Sequence, residues 1–173
     1  MTLPGNTIPF WALSLAYWLH MLATVAWIGG LVALVILVLP IARRILEADL
    51  YANFLEQVQR RLDPLGWLSL AVLLATGLFQ LSANSNYEGF LSISNRWSVV
   101  IFIKHILFFG MIAVSAYLTW GILPSLRRIA LMRAKGIQSE DTEKLYKREV
   151  ILLRINLVMG IVILGLTSLA RAS

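Results

Sequence analysis

Cysteine is absent from this chain of 173 residues. That excludes disulfides, thiolate metal sites, iron–sulfur clusters and covalent c-type haem attachment together. Charge is scarce as well: 14% of the side chains are Asp, Glu, Lys or Arg, against 59% hydrophobic, and the mean hydropathy is +0.78. Soluble domains do not carry that balance, whereas a set of membrane-spanning helices does. Only two histidines are present, His20 and His105, so metal chemistry must draw on two imidazoles, on methionine or on carboxylates. The long apolar runs contain no Asp or Glu, which leaves no carboxylate pair for a proton relay inside a span. A glycine-rich phosphate loop, a zincin motif, a nucleophile–base pair, an internal repeat and an evident substrate pocket are missing too.

What the sequence does contain is four apolar runs long enough to cross a hydrocarbon core of roughly 30 Å, a distance that takes about 20 helical residues. They cover approximately residues 9–39, 65–83, 97–123 and 150–170. Pro40 and Pro124 follow the first and third runs, and Asp63-Pro64 precedes the second as a helix-start signal. The fold class expected is all-α, a single four-helix transmembrane bundle. Residues 41–63 alternate apolar and charged positions at helical spacing, which predicts an amphipathic helix on the cytoplasmic side between the first two spans. The loop at 125–149 is strongly basic.

The formal charge of +6 and the pI near 10.1 could serve nucleic acid. The basic residues instead flank the spans, which makes them topology signals and contacts for anionic lipid. Arg43, Arg44, Arg60, Arg61, Arg127, Arg128, Arg133, Lys135, Lys144, Lys147 and Arg148 fall in the first and third connections, against Arg96 and Arg171 on the other side. By the positive-inside rule both termini face away from the cytoplasm of a multi-pass inner or plasma membrane protein. Trp11 and Trp97 would anchor the outer ends, and Trp67 and Trp120 the inner ends. MTLPGNTIPF has no basic n-region and leads into a run too long for a signal-peptide core, so no cleavage is expected.

Orientation gives the histidines a shared depth. His20 follows Pro9 by eleven residues and His105 follows Trp97 by eight. At 1.5 Å per residue they lie roughly 16 and roughly 12 Å below the outer boundary, on parallel helices. Two imidazoles at one level are what bis-histidine haem b ligation requires. Residues a turn from His20 are mostly small, Ala16, Ala23 and Thr24 among them, whereas Ile101, Phe102, Phe108 and Phe109 surround His105. Ordinary helix packing, with each ring bonded to a neighbouring carbonyl or hydroxyl, accounts for the same pattern. Lys104 either snorkels to the outer headgroups or, with Arg96, neutralises a propionate, carboxylate or phosphate. Arg154 and Asn156 lie in the inner part of span four, where Arg154 would snorkel or pair with Glu149. The glycines at 29, 30, 77, 160 and 165 read as points of close helix approach.

Several short motifs carry a family likeness: H-x6-W-x-G-G in span one (His20, Trp27, Gly29, Gly30), T-G-L in span two (Thr76, Gly77, Leu78), and W-x6-K in span three (Trp97, Lys104), closed by Leu123-Pro124. Together they resemble the copper-resistance D (CopD) domain family and the related HemJ-like four-helix membrane proteins. The first likeness implies copper passage across the inner membrane. The second implies haem-binding oxidation of protoporphyrinogen IX, with His20 and His105 as haem ligands and Lys104 in the same pocket. After span one the chain reads GGLVALVILVLPIARRIL, which departs from the oxidase pattern. The residues therefore point first to a haem b-binding redox or electron-transfer subunit, with His20, His105, Lys104, Arg96 and Trp27 at the cofactor. A copper-transport protein using the same histidines is the alternative, and a structural subunit of a larger membrane complex the third. The methionines that could assist copper are Met21, Met111 and Met159.

Overall fold

The computed structural model describes residues 9–46, 48–84, 96–134 and 142–172. All secondary structure among them is helical: α1 (Phe10–Val32), a π-helical segment (Ala33–Val38), α2 (Leu39–Ile45), α3 (Ala48–Ser82), α4 (Arg96–Tyr117), a second π-helical segment (Leu118–Ile122), α5 (Leu123–Ala134) and α6 (Thr142–Ala172). Four stretches are long and apolar enough to cross a membrane, Phe10–Ile45, Asn53–Ser82, Trp97–Leu126 and Lys144–Arg171.

The prolines explain where the helices widen. Proline lacks an N–H, and its ring crowds the carbonyl four residues back. Each π segment ends two residues before a proline, Pro40 or Pro124. In each, the closing residue reaches back five positions, Leu39 N–H to the Leu34 carbonyl and Leu123 N–H to that of Leu118. A widened turn absorbs the defect, so spans one and three continue through their prolines instead of stopping.

Pro64 behaves differently from the helix-start reading, because α3 runs through it without interruption over 35 residues. At 1.5 Å per residue that is about 52 Å, well beyond the hydrocarbon thickness. The amphipathic stretch is therefore no separate surface helix: its first residues close span one as α2, and the rest forms the leading half of the span-two helix. At Leu46, where φ is −95° and ψ is 138°, the chain leaves helical geometry between α2 and α3.

Spans one and two pair along α1 and α3, spans three and four along α4 and α6, and the pairs meet through α1 with α6 and α3 with α5. A buried apolar cluster lies toward the end bearing the basic connections, here the basic end. There Leu31, Leu34, Val35, Leu39 and Ala42 pack on Tyr51 and Leu55 of α3 and on Leu153 and Leu157 of α6. Trp67 stacks on Trp120 at the same end, with centroids 5.2 Å apart. α4 packs chiefly on α6. Large side chains such as Phe10, Trp11, Val25, Leu68, Ile106 and Ile161 face outward, as a lipid-facing surface requires. Trp97, expected at the interface, is instead buried.

Two glycines make close approaches. A Cβ on Gly66 would stand 2.7 Å from the Trp27 ring, and one on Gly110 would stand 2.6 Å from Met159 Cε. Gly77 and Gly160 lie at ordinary contact distance from His20 and Ile28, whereas Gly29, Gly30 and Gly165 have nothing within 4 Å. The close-approach reading therefore moves from the Gly29-Gly30 pair to Gly66.

Candidate functional site

His20 projects from α1 toward α3, where its Nδ1 lies 2.8 Å from Thr76 Oγ1. The Thr76 hydroxyl donates to the Val72 carbonyl at 2.5 Å, the back-bond a mid-helix threonine makes. With its only proton committed, that hydroxyl can accept but not donate, so His20 Nδ1 carries the hydrogen. In the neutral ring Nε2 then keeps the lone pair, the arrangement found in metal-ligating histidines whose other nitrogen is held by a second hydrogen bond. Gly77 lets the ring lie close: a Cβ there would be 3.5 Å from His20 Cε1. Thr24 Oγ1 bonds the His20 carbonyl, and Gln80 Nε2 bonds that of Ala16. Thr76 and Gly77 of span two thus form the seat of the span-one histidine.

His105 follows the same rule on α4. Its Nδ1 lies 2.7 Å from the Ile101 carbonyl, an oxygen that only accepts, so the hydrogen again sits on Nδ1 and the lone pair on Nε2. Both rings are half-buried. Lys104, next to His105, and Arg171 of α6 are the cations whose fields reach His20. Arg171 also stands over the Tyr17 ring, 5.7 Å from its centroid, one turn from His20. The Arg96 side chain lies outside the described residues. Met21, beside His20 in sequence, is exposed toward lipid. Met111 is buried in α4, and Met159 packs on Gly110. Among the described residues no group of three or more His, Cys, Asp or Glu converges as a metal cage.

Trp27 belongs to a different place. Two turns along α1 from His20, it lines a chamber of about 80 Å³ in the basic half of the bundle. Gly30, Gln59, Asp63, Gly66, Ser115, Thr119 and Asn156 line it too. The sequence alone shows no such pocket. Behind it lies Glu149, fully buried, whose Oε1 accepts a hydrogen bond from Gln59 Nε2. Arg154 is exposed, and Glu149 pairs with Gln59 rather than with it. Asn156, 1% exposed, donates through Nδ2 to Ser115 Oγ at 2.9 Å, and Ser115 donates to the Met111 carbonyl.

The sequence shows Glu149 only as a partner for Arg154 and Asn156 only as an inner-half residue of span four; nothing in it joins them to Gln59 and Ser115, and bounding span four at residue 150 leaves Glu149 outside. A spacing signal was present nonetheless. Glu149, Leu153, Asn156 and Leu157 recur on one helical face, and all four are buried.

Compared with known proteins, residues 56–170 match the sequence model of the family described as copper resistance protein D. No curated protein and no solved structure matches the chain. The matched segment begins within α3 and takes in Thr76, Gly77, Lys104 and His105, while His20 and Trp27 precede it.

Proposed function

Since this chain belongs to the copper resistance protein D family and forms four helices able to cross a membrane, we propose that it handles copper within the bilayer, with His20 as the principal ligand. The observation that carries this reading is the hydrogen-bond relay from His20 Nδ1 through Thr76 Oγ1 to the Val72 carbonyl. It orients the ring and leaves Nε2 as the donor nitrogen. Cu(I) accepts low coordination numbers and imidazole nitrogen, so a sparse set with His105 as second ligand binds an ion that must also leave. Sites along a conduction route need that moderate affinity.

A second reading is haem b held between His20 and His105, and one local feature favours it. Lys104 and Arg171 make the His20 neighbourhood positive, which suits the propionates of a haem and works against a bare cation. The donor chemistry also fits, since both rings direct hydrogen from Nδ1 into fixed acceptors. Bound there, haem would supply one-electron redox chemistry, with the chain's part being ligation and charge neutralisation. Under either reading the termini and His20 lie on the non-cytoplasmic side, with the basic connections meeting anionic lipid inside.

Purified protein distinguishes these readings by copper content and absorption spectrum. Stoichiometric copper that falls at least tenfold in His20→Ala supports copper handling. A Soret band with split visible bands on reduction, lost in His20→Ala and in His105→Ala, supports haem. Colourless, metal-free protein after copper exposure refutes both.

A further inference from the structure

Glu149 is a buried carboxyl that neither reading uses. It is 0% exposed and lies within the fourth membrane-crossing stretch, Lys144–Arg171. The fold therefore carries into the bundle an acid that an apolar run begun at residue 150 leaves out. One oxygen, Oε1, accepts from Gln59 Nε2, and the other, Oε2, is buried with no hydrogen-bond partner. Gln59 is neutral, so that single bond brings no counter-charge.

The surrounding charges do not supply one either. Asp63 of α3 is the charged side chain whose field is felt most at Glu149, and it is itself acidic. Tyr51 of α3 lies within reach of the carboxyl, and Arg43 of α2 acts on that phenol. Arg154, farther along α6, is exposed. An ionised carboxyl taken out of water without a paired cation is far more costly than a protonated one, so the neutral acid is the form these surroundings hold. A source of protons lies one side chain away. Gln59 also lines the chamber of about 80 Å³, which has room for several waters at roughly 10–15 Å³ each. Trp27 Nε1 and Asn156 Oδ1, a donor and an acceptor on lining residues, are both buried without a partner, and water satisfies the two alike.

We propose that Glu149 is a proton-binding site in the basic half of the bundle, protonated in the resting fold and exchanging its proton with water in the chamber. Loading forms one O–H bond at Oε2 and removes one proton from that water. Release returns the proton and leaves a carboxylate held at Oε1 by Gln59. The inference does not depend on copper or haem at His20.

The carbonyl stretch of a protonated carboxylic acid is separate from the bands of a carboxylate, so infrared spectra of the protein in detergent read the group directly. At about pH 6, well above the value near 4.3 of a free glutamate, the parent is expected to show this band. Glu149→Gln should lack it, and Glu56→Gln should retain it. Deuterium oxide should move the band to lower frequency, and raising the pH to about 10, where tyrosines titrate, should remove it reversibly. Should Glu149→Gln not fold, carbon-13 in the glutamate carboxyls of the parent decides. Ionised glutamates contribute nothing to this region, and Glu149 is the fully buried acid among the described residues, so a band displaced by the isotope is assigned to it. No band at the lower pH, one that persists in Glu149→Gln, or one that the isotope leaves in place would overturn the proposal. A band insensitive to deuterium oxide or to alkaline pH would show a sealed acid and overturn it equally.

Discussion

Copper ligation by His20 turns on which ring nitrogen carries the proton, a detail fixed by Thr76. Removing the Thr76 hydroxyl should release the ring while leaving the ligand in place. Second-shell losses of this kind cost about 10- to 100-fold in metal affinity, so Thr76→Val is expected to weaken copper binding in that range, measured by competition with a chromogenic Cu(I) chelator. Thr76→Ser keeps the hydroxyl and should stay within a few-fold of the parent; an equal loss in both variants would remove the relay from the argument. Tyr51, ahead of the second membrane-crossing stretch, gives a pH prediction. Burial, and after it the nearby Glu149 carboxylate, push its phenol above the usual value. The fold thus favours the neutral phenol. Its contribution to stability is complete below the unfolded value near pH 10 and is lost as pH rises through the higher folded value. Thermal melting above about pH 10 should therefore fall less steeply in Tyr51→Phe than in the parent.

At the scale of elements, the packing of α1 on α3 rests on Gly66, because any Cβ there meets the Trp27 ring. Overpacking costs roughly 1–3 kcal/mol, so Gly66→Ala should lower the melting temperature in detergent. Gly30→Ala, whose Cβ meets nothing within 4 Å, should not, and equal effects would show that the close approach is not limiting. Between α4 and α6 the bond from Asn156 to Ser115 should contribute on the order of 0.6 kcal/mol, the average for interhelical polar contacts in a membrane. A double-mutant cycle of Asn156→Ala and Ser115→Ala measures it. The elements also show what a sequence displays. Four apolar runs state their own lengths, so the spans were legible. Continuity across Pro64 was not, because a proline that opens a helix and one that α3 passes through look alike in one dimension. Thr76 is visible as part of a motif, but its bond to His20 joins residues 56 apart. Gln59 and Glu149 are 90 residues apart, so the buried polar layer existed only once α3 and α6 were packed.

For the whole molecule the bundle divides in two along its length. One half carries the two imidazoles and the cations Lys104 and Arg171. The basic half is tightly packed and holds the polar chamber. The orientation proposed by charge is open to test with thiols added to the cysteine-free chain. Phe10→Cys, at the exposed start of α1, should react with a membrane-impermeant maleimide in intact cells. Arg44→Cys, in α2, should react only after lysis, and the opposite pattern would invert the topology. Copper binding by His20 in the membrane is measured as the copper bound per chain after Cu(I) loading in detergent, compared between parent and His20→Ala. About one ion per parent chain and at least a tenfold loss in the variant is the predicted result; equal copper in the two proteins, or none in the parent, would contradict it.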